Sequence, residues 1–206
     1  MPGQPPANKG RTFPPEPLTA REAQALIAAC SAVAPTGMRN RAALILMYRG
    51  GLRIAEVLAL KVGDVDPGCG TVRVLHDKGN RARTIGLDPG AMAAVQRWAE
   101  RRKALGIRND VLVCTLQGGP VSDKYIRALM ARLAAAAGIE KRVHPHGLRH
   151  THAAELAAEG VPVSVISRQL GHANSAITAR YLDQVAPAQV IEAMQQRNWT
   201  EPGGQA

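Results

Sequence analysis

Apolar positions through the first third of the ordered chain recur three and four residues apart, the signature of helices with one buried face. Thr19 followed by Glu22 has capping-box spacing. Ala23, Leu26, Ile27 and Cys30 continue on one face, so a helix begins there. A second helix is predicted over 39–49, ending at Gly50-Gly51, where glycine supplies a left-handed stop. The run GLRIAEVLAL opens a third. From Lys61 the pattern changes to turn residues (Gly63, Asp64, Asp66, Pro67, Gly68), and then TVRVLH and ARTIGL read as two short strands of a hairpin around DKGNR. Asp88-Pro89 starts a helix reaching Leu105, VLVC reads as a short strand, and Ser122 to Ala137 forms another helix ended by Gly138. Four more helical segments follow at 146–159, 162–170, 175–182 and 187–198. The expected fold is mainly α with a small antiparallel β-sheet, an α+β domain.

Composition sharpens this picture. Of 206 residues 46% are apolar, yet there are only one Phe, two Trp and three Tyr, so aliphatic side chains must fill the interior, which favours helices. Residues 1–17 are rich in Pro and Gly with almost nothing to bury, and are expected to be a disordered tail or linker remnant. One domain is expected over 18–198, with a tail at 199–206. The net charge of +10 attracts polyanions over a screening length of about 8 Å, making nucleic acid the first partner to consider beside a merely solvated basic surface. Cys30, Cys69 and Cys114 are odd in number and form no CxxC pair, so neither a disulfide framework nor a zinc knuckle is indicated. With no long apolar run and no signal-peptide order, a soluble cytoplasmic protein without a membrane partner is expected.

The stretch His146–Tyr181 gathers imidazoles, a guanidinium and a phenol among helix-patterned apolar residues, a costly way to build a plain core. His146 and Arg149 lie three apart on one face, behind Pro145, at a helix start where amide donors favour an anion. A capped helix with a satisfied histidine is the competing reading. His150 raises zinc as an alternative, but HGLRH lacks the glutamate of HExxH and sets Arg149 beside any metal; no metal site is expected. Upstream, Arg53 precedes Glu56 by three, where the carboxylate can orient the guanidinium, although exposed pairs of this kind are common. Lys78 occupies the hairpin turn beside Gly79, His172 follows the helix-breaking Gly171, and Tyr181 sits in ARYLD.

Taken in order, GLRIAEVLAL, DKGNRART, HGLRH, QLGH and ARYLD resemble the tyrosine site-specific recombinase, or phage integrase, family, over about Leu18 to Asn198. Each motif is weak by itself; five in order are specific. The resemblance implies a catalytic set of Arg53, Lys78, His146, Arg149 and His172 with Tyr181 as nucleophile, supported by Glu56 and His150. Arg53, Arg149 and His172 would contact the DNA phosphate. It implies a mainly helical catalytic domain, double-stranded DNA as partner, no cofactor, and a homo-oligomer, a tetramer on paired sites, with an isolated monomer also compatible. The helix at 187–198 would then dock onto a neighbouring protomer rather than fold back. Family members usually carry a separate N-terminal core-binding domain, where this chain has only a Pro-rich stretch; an excised catalytic domain and a naturally short member both fit.

The activity so implied is cleavage and rejoining of DNA strands through a 3′-phosphotyrosine, independent of metal and ATP. Two alternatives remain open: a type IB topoisomerase-like relaxing activity, and a catalytically idle DNA-binding accessory fragment.

Overall fold

The computed structural model describes residues 18–75 and 82–171. In chain order these build α1 (Ala20–Ala28), α2 (Pro35–Tyr48), α3 (Ile54–Ala59), a 3-10 turn at Val62–Asp64, β1 (Val65–Asp66), β2 (Thr71–Val74), β3 (Arg83–Gly86), α4 (Pro89–Ala104), α5 (Asp123–Ala136), α6 (Pro145–Ala158) and α7 (Val163–Leu170). The expected helical domain with a small sheet is what forms. The segments 175–182 and 187–198, the tails 1–17 and 199–206, and Lys78, His172 and Tyr181 lie outside the described residues.

Helix α2 is the axis of the fold. Every residue from Ala42 to Tyr48 is buried, so this half of the helix has no solvent face, and α1, α3, α4 and α6 pack around α2. Small alanines at 42 and 43 let those neighbours approach. Polar groups near its ends are paired laterally. Arg39 donates to Asn40 Oδ1 and to the Tyr125 hydroxyl at 2.7 Å. Tyr48 donates to Glu155 at 2.5 Å, and Arg49 reaches Asp88 at 2.8 Å and Glu155 at 3.2 Å. These bonds tie α2 to α5, α6 and the start of α4. The helix begins at Pro35, four residues before the sequence pattern suggests. A proline in the first turn loses no needed donor, so Pro-Thr-Gly, which reads as a turn, opens a helix here.

Local chemistry sets several other boundaries as expected. Thr19 and Glu22 form a reciprocal capping box, with Thr19 N donating to Glu22 Oε2 at 2.7 Å and Glu22 N to Thr19 Oγ1 at 3.2 Å. Asp88 caps α4 and Ser122 caps α5. The hairpin is antiparallel, with Val72 opposite Ile85 and Val74 opposite Arg83. β1 adds a third strand from a stretch that reads only as turns.

VLVC is not a strand. Val111 and Cys114 make single bridges, to Lys61 and Pro120. The segment is held by burial of Leu112, Val113 and Cys114 and by Trp98 Nε1 donating to the Leu112 carbonyl at 2.8 Å. A short apolar run bounded by turns does not distinguish a ladder from a buried loop. Among the described residues no helix is long and apolar enough to cross a membrane.

Candidate active site

The site is built on the turn between α2 and α3. Gly51 takes a φ of 63°, and a Cβ there would fall 2.7 Å from Leu170 Cδ2 and 2.8 Å from His152 Cδ2. Only glycine lets α6 and α7 close on this turn. Two residues on, Arg53 is the N-cap of α3. Glu56 reaches back to accept Arg53 N at 2.7 Å and Arg53 Nη1 at 3.1 Å, the orienting contact that the spacing predicts.

The same carboxylate carries a second guanidinium, which sequence reasoning missed. Arg83, opening β3, donates Nη1 to Glu56 Oε1 at 2.8 Å and Nη2 to Oε2 at 3.0 Å. The Glu56 side chain is 3% exposed, so this is no surface pair. Burial would raise the Glu56 pKa, but the bonds from Arg83 and from the Arg53 amide outweigh it and hold the group below the ordinary carboxylate value. One signal for Arg83 was present: strand alternation places it on the same face as buried Ile85.

The other half comes from α6. His144 caps this helix, its Nδ1 accepting Gly147 N at 3.0 Å, and Pro145 follows in the first turn. His146 and Arg149 part company in exposure: His146 lies open to solvent, whereas Arg149 is 2% exposed. Arg149 donates Nη1 to the Gly51 carbonyl and Nη2 to the Leu170 carbonyl, both at 2.6 Å. It thereby braces the turn before Arg53 against the end of α7, next to Gly171. Partial desolvation, then the charges of Arg149, His144 and Arg53, lower the His146 pKa. The two arginines that the motifs pair are therefore close enough to act on one imidazole. His146 meets the His150 ring edge to face, centroids 4.1 Å apart. No third His, Cys, Asp or Glu joins them in a metal-binding group among the described residues.

Two further groups lie behind the site, His152 outside the quoted motifs and Gln169 within QLGH but without a role read from it. Among the described residues no group hydrogen-bonds either ring nitrogen of the buried His152, and desolvation, with Arg49 and Arg149 nearby, pushes its pKa down to about 4. Gln169 of α7 accepts Gly86 N at 3.1 Å and donates to Gly86 O at 2.9 Å, so a side-chain amide pairs with β3 as a neighbouring strand would. The structure thus brings together Arg53, Glu56, His146, Arg149 and His150, and adds Arg83.

This chain, a helical domain with a three-stranded sheet in which Arg149 braces the turn before Arg53, has known relatives. The pattern of the phage integrase family matches residues 16–186, and the chain belongs to that family. Tyrosine recombinase XerD of Ralstonia nicotianae is 36% identical over 170 residues, 81% of this chain and 55% of that protein. Tyrosine recombinase XerC of Actinobacillus pleuropneumoniae serotype 7 is 32% identical over 165 residues, 79% of this chain and 54% of its own. The chain spans about half the length of these curated relatives. Among solved structures, the XerA recombinase superposes with a TM-score of 0.80 at 28% identity, over 96% of this chain and 70% of that one. XerH site-specific recombinase, bound to palindromic difH substrate in a post-cleavage complex, gives 0.73 at 24% identity over 88% of this chain and 53% of its own, a likeness of fold.

Proposed function

We propose that this chain carries the catalytic machinery of a site-specific DNA recombinase, acting on double-stranded DNA through a 3′-phosphotyrosine. The observation that supports it best is the bond from Arg149 to the Gly51 carbonyl, which ties α6 to the turn that leads into Arg53 and so joins two arginines' positions nearly a hundred residues apart on one buried scaffold. Two cations at one spot suit a phosphodiester whose negative charge grows toward a pentavalent transition state.

In this reading the Tyr181 hydroxyl attacks the scissile phosphorus in line. The new P–O bond to Tyr181 forms as the P–O5′ bond breaks, leaving a 3′-phosphotyrosyl strand and a 5′-hydroxyl. His146 accepts the phenol proton; its lowered pKa keeps it neutral, and so able to do this, at pH 7. Lys78 supplies a proton to the leaving 5′ oxygen, and His172 hydrogen-bonds a phosphoryl oxygen. Bond energy is conserved in the tyrosyl ester, so rejoining is the same step reversed with a new 5′-hydroxyl and requires no nucleotide hydrolysis. Oligomerisation on paired sites, with the segment 187–198 docking onto a neighbouring protomer, and a cytoplasmic, DNA-associated location belong to the same proposal.

The test is topological. A site is first recovered from a random-sequence library by covalent capture, and supercoiled plasmids carrying two copies or none are incubated with the protein. Recombinant circles from the two-copy plasmid alone are expected. Relaxation of the site-free plasmid without recombinants would favour the topoisomerase-like reading, and binding without either product the accessory one.

A further inference from the structure

Arg83 lies within DKGNRART but has no role in the site read from that motif, yet its guanidinium grips Glu56 more completely than the Arg53 guanidinium does. It engages both carboxylate oxygens in a fork, at 2.8 and 3.0 Å, whereas the Arg53 side chain shares one oxygen through one nitrogen at 3.1 Å. Exposure follows the same order: the Arg83 side chain is 13% exposed and that of Arg53 38%. The Arg83 side chain also packs closely against the end of α7, since a Cβ on Gly171 would fall 2.7 Å from its Cζ and Nε. Gln169, two residues earlier, fixes the other end of β3 through both polar atoms of Gly86. Glu56 is therefore held from two sides, by the Arg53 amide at the start of its own helix and by a strand that is itself locked to α7.

We infer that Arg83 is a positioning residue for strand cleavage: by holding Glu56 bidentately, it sets the carboxylate that aims the Arg53 guanidinium at the scissile phosphate. This rests on the phosphate role proposed above for Arg53. Of the three side chains two are cationic and one anionic, so the cluster keeps a net positive charge while its acid stays satisfied. Without Arg83 the buried Glu56 would draw Arg53 inward as its main counter-ion, away from the substrate.

The test compares two scissile linkages in one nicked duplex carrying the captured site: an ordinary phosphodiester and a methylphosphonate, in which a methyl group replaces a non-bridging oxygen and removes the charge. Arg83→Met combined with Glu56→Gln removes both buried charges together, so no unpaired ion threatens folding; Arg83→Lys keeps the charge and loses the fork. On the phosphodiester, single-turnover cleavage is expected to fall ~10- to 100-fold in both variants, with DNA affinity within about threefold of the parent, the scale of a misaimed group. On the methylphosphonate, which has less charge to stabilise, the deficit should shrink to about threefold or less. An equal deficit on both linkages, or none on the phosphodiester, overturns the inference. Arg53→Ala is run alongside: if its own deficit persists on the neutral linkage, the phosphate role of Arg53 is what has failed. If the parent chain forms no adduct, the function proposed above falls, and this inference with it.

Discussion

His152 illustrates how a residue can shape the site from behind without touching a substrate. The residue is 4% exposed and its ring closes on Gly51, with no hydrogen-bond partner for either nitrogen among the described residues. Its folded pKa of about 4 lies below the ordinary histidine value of about 6.5. The unfolded chain therefore binds the proton more readily, so the stabilisation is complete above about pH 6.5 and is lost as the pH falls toward 4. A gap of that size corresponds to about 3 kcal/mol. His152→Leu is expected to flatten this acid limb in urea melts between pH 7 and 4 while leaving stability at pH 7 within about 1 kcal/mol; an acid limb as steep as the parent's would contradict it. None of this was legible in HGLRHTH, where His146 and His150 drew the eye. Motif spacing identifies Arg53, Glu56, His146 and Arg149, because a helix face or cap joins neighbours in sequence. It misses Arg83, whose partner lies 27 residues away, and it does not foresee that Arg149 would be buried while bonded to two carbonyls.

At the scale of elements, helices with caps were readable and irregular segments were not. The residues Thr19, Asp88, Ser122 and Gly171 mark ends that the structure reproduces. The loss of VLVC as a strand follows from burial among distant neighbours, whereas the early start of α2 follows from Pro35 in its first turn. The pairing of α7 with β3 through Gln169 is a contact between elements that no periodicity encodes. Gln169→Ala removes the partners of the Gly86 amide and carbonyl. Hydrogen exchange at Gly86 should speed up about five- to tenfold, as expected for about 1 kcal/mol of lost protection, with Val72 and Ile85 unchanged. Unaltered exchange at Gly86 would show that β3 is held by its hairpin partner alone.

At the scale of the whole molecule, the few aromatics pointed to a helical core, which forms, and the +10 charge raises the expectation of a polyanionic partner. Composition did not reveal that the second half of α2 would be buried on all sides, because an Ala- and Leu-rich run is compatible with a surface helix until its neighbours are known. The segment 187–198 lies outside the described residues, and the proposal that it docks onto another protomer makes a separable prediction. Truncation after Val185 should leave a chain that melts cooperatively and still binds DNA but no longer recombines paired sites, read by calorimetry, gel shift and product analysis on the same samples. Loss of the cooperative transition would mean instead that the segment folds back on its own domain.

The central claim is that Tyr181 becomes covalently joined to DNA at a site assembled by Arg53, His146 and Arg149. Nicked duplex carrying the captured site and a label on the strand 5′ to the cleaved bond is mixed with the full chain, quenched in SDS, and the adduct is digested for mass spectrometry. The account predicts a labelled adduct with DNA joined through its 3′ phosphate to Tyr181, absent in Tyr181→Phe. An adduct that persists in Tyr181→Phe, or DNA attached through its 5′ end, would contradict it.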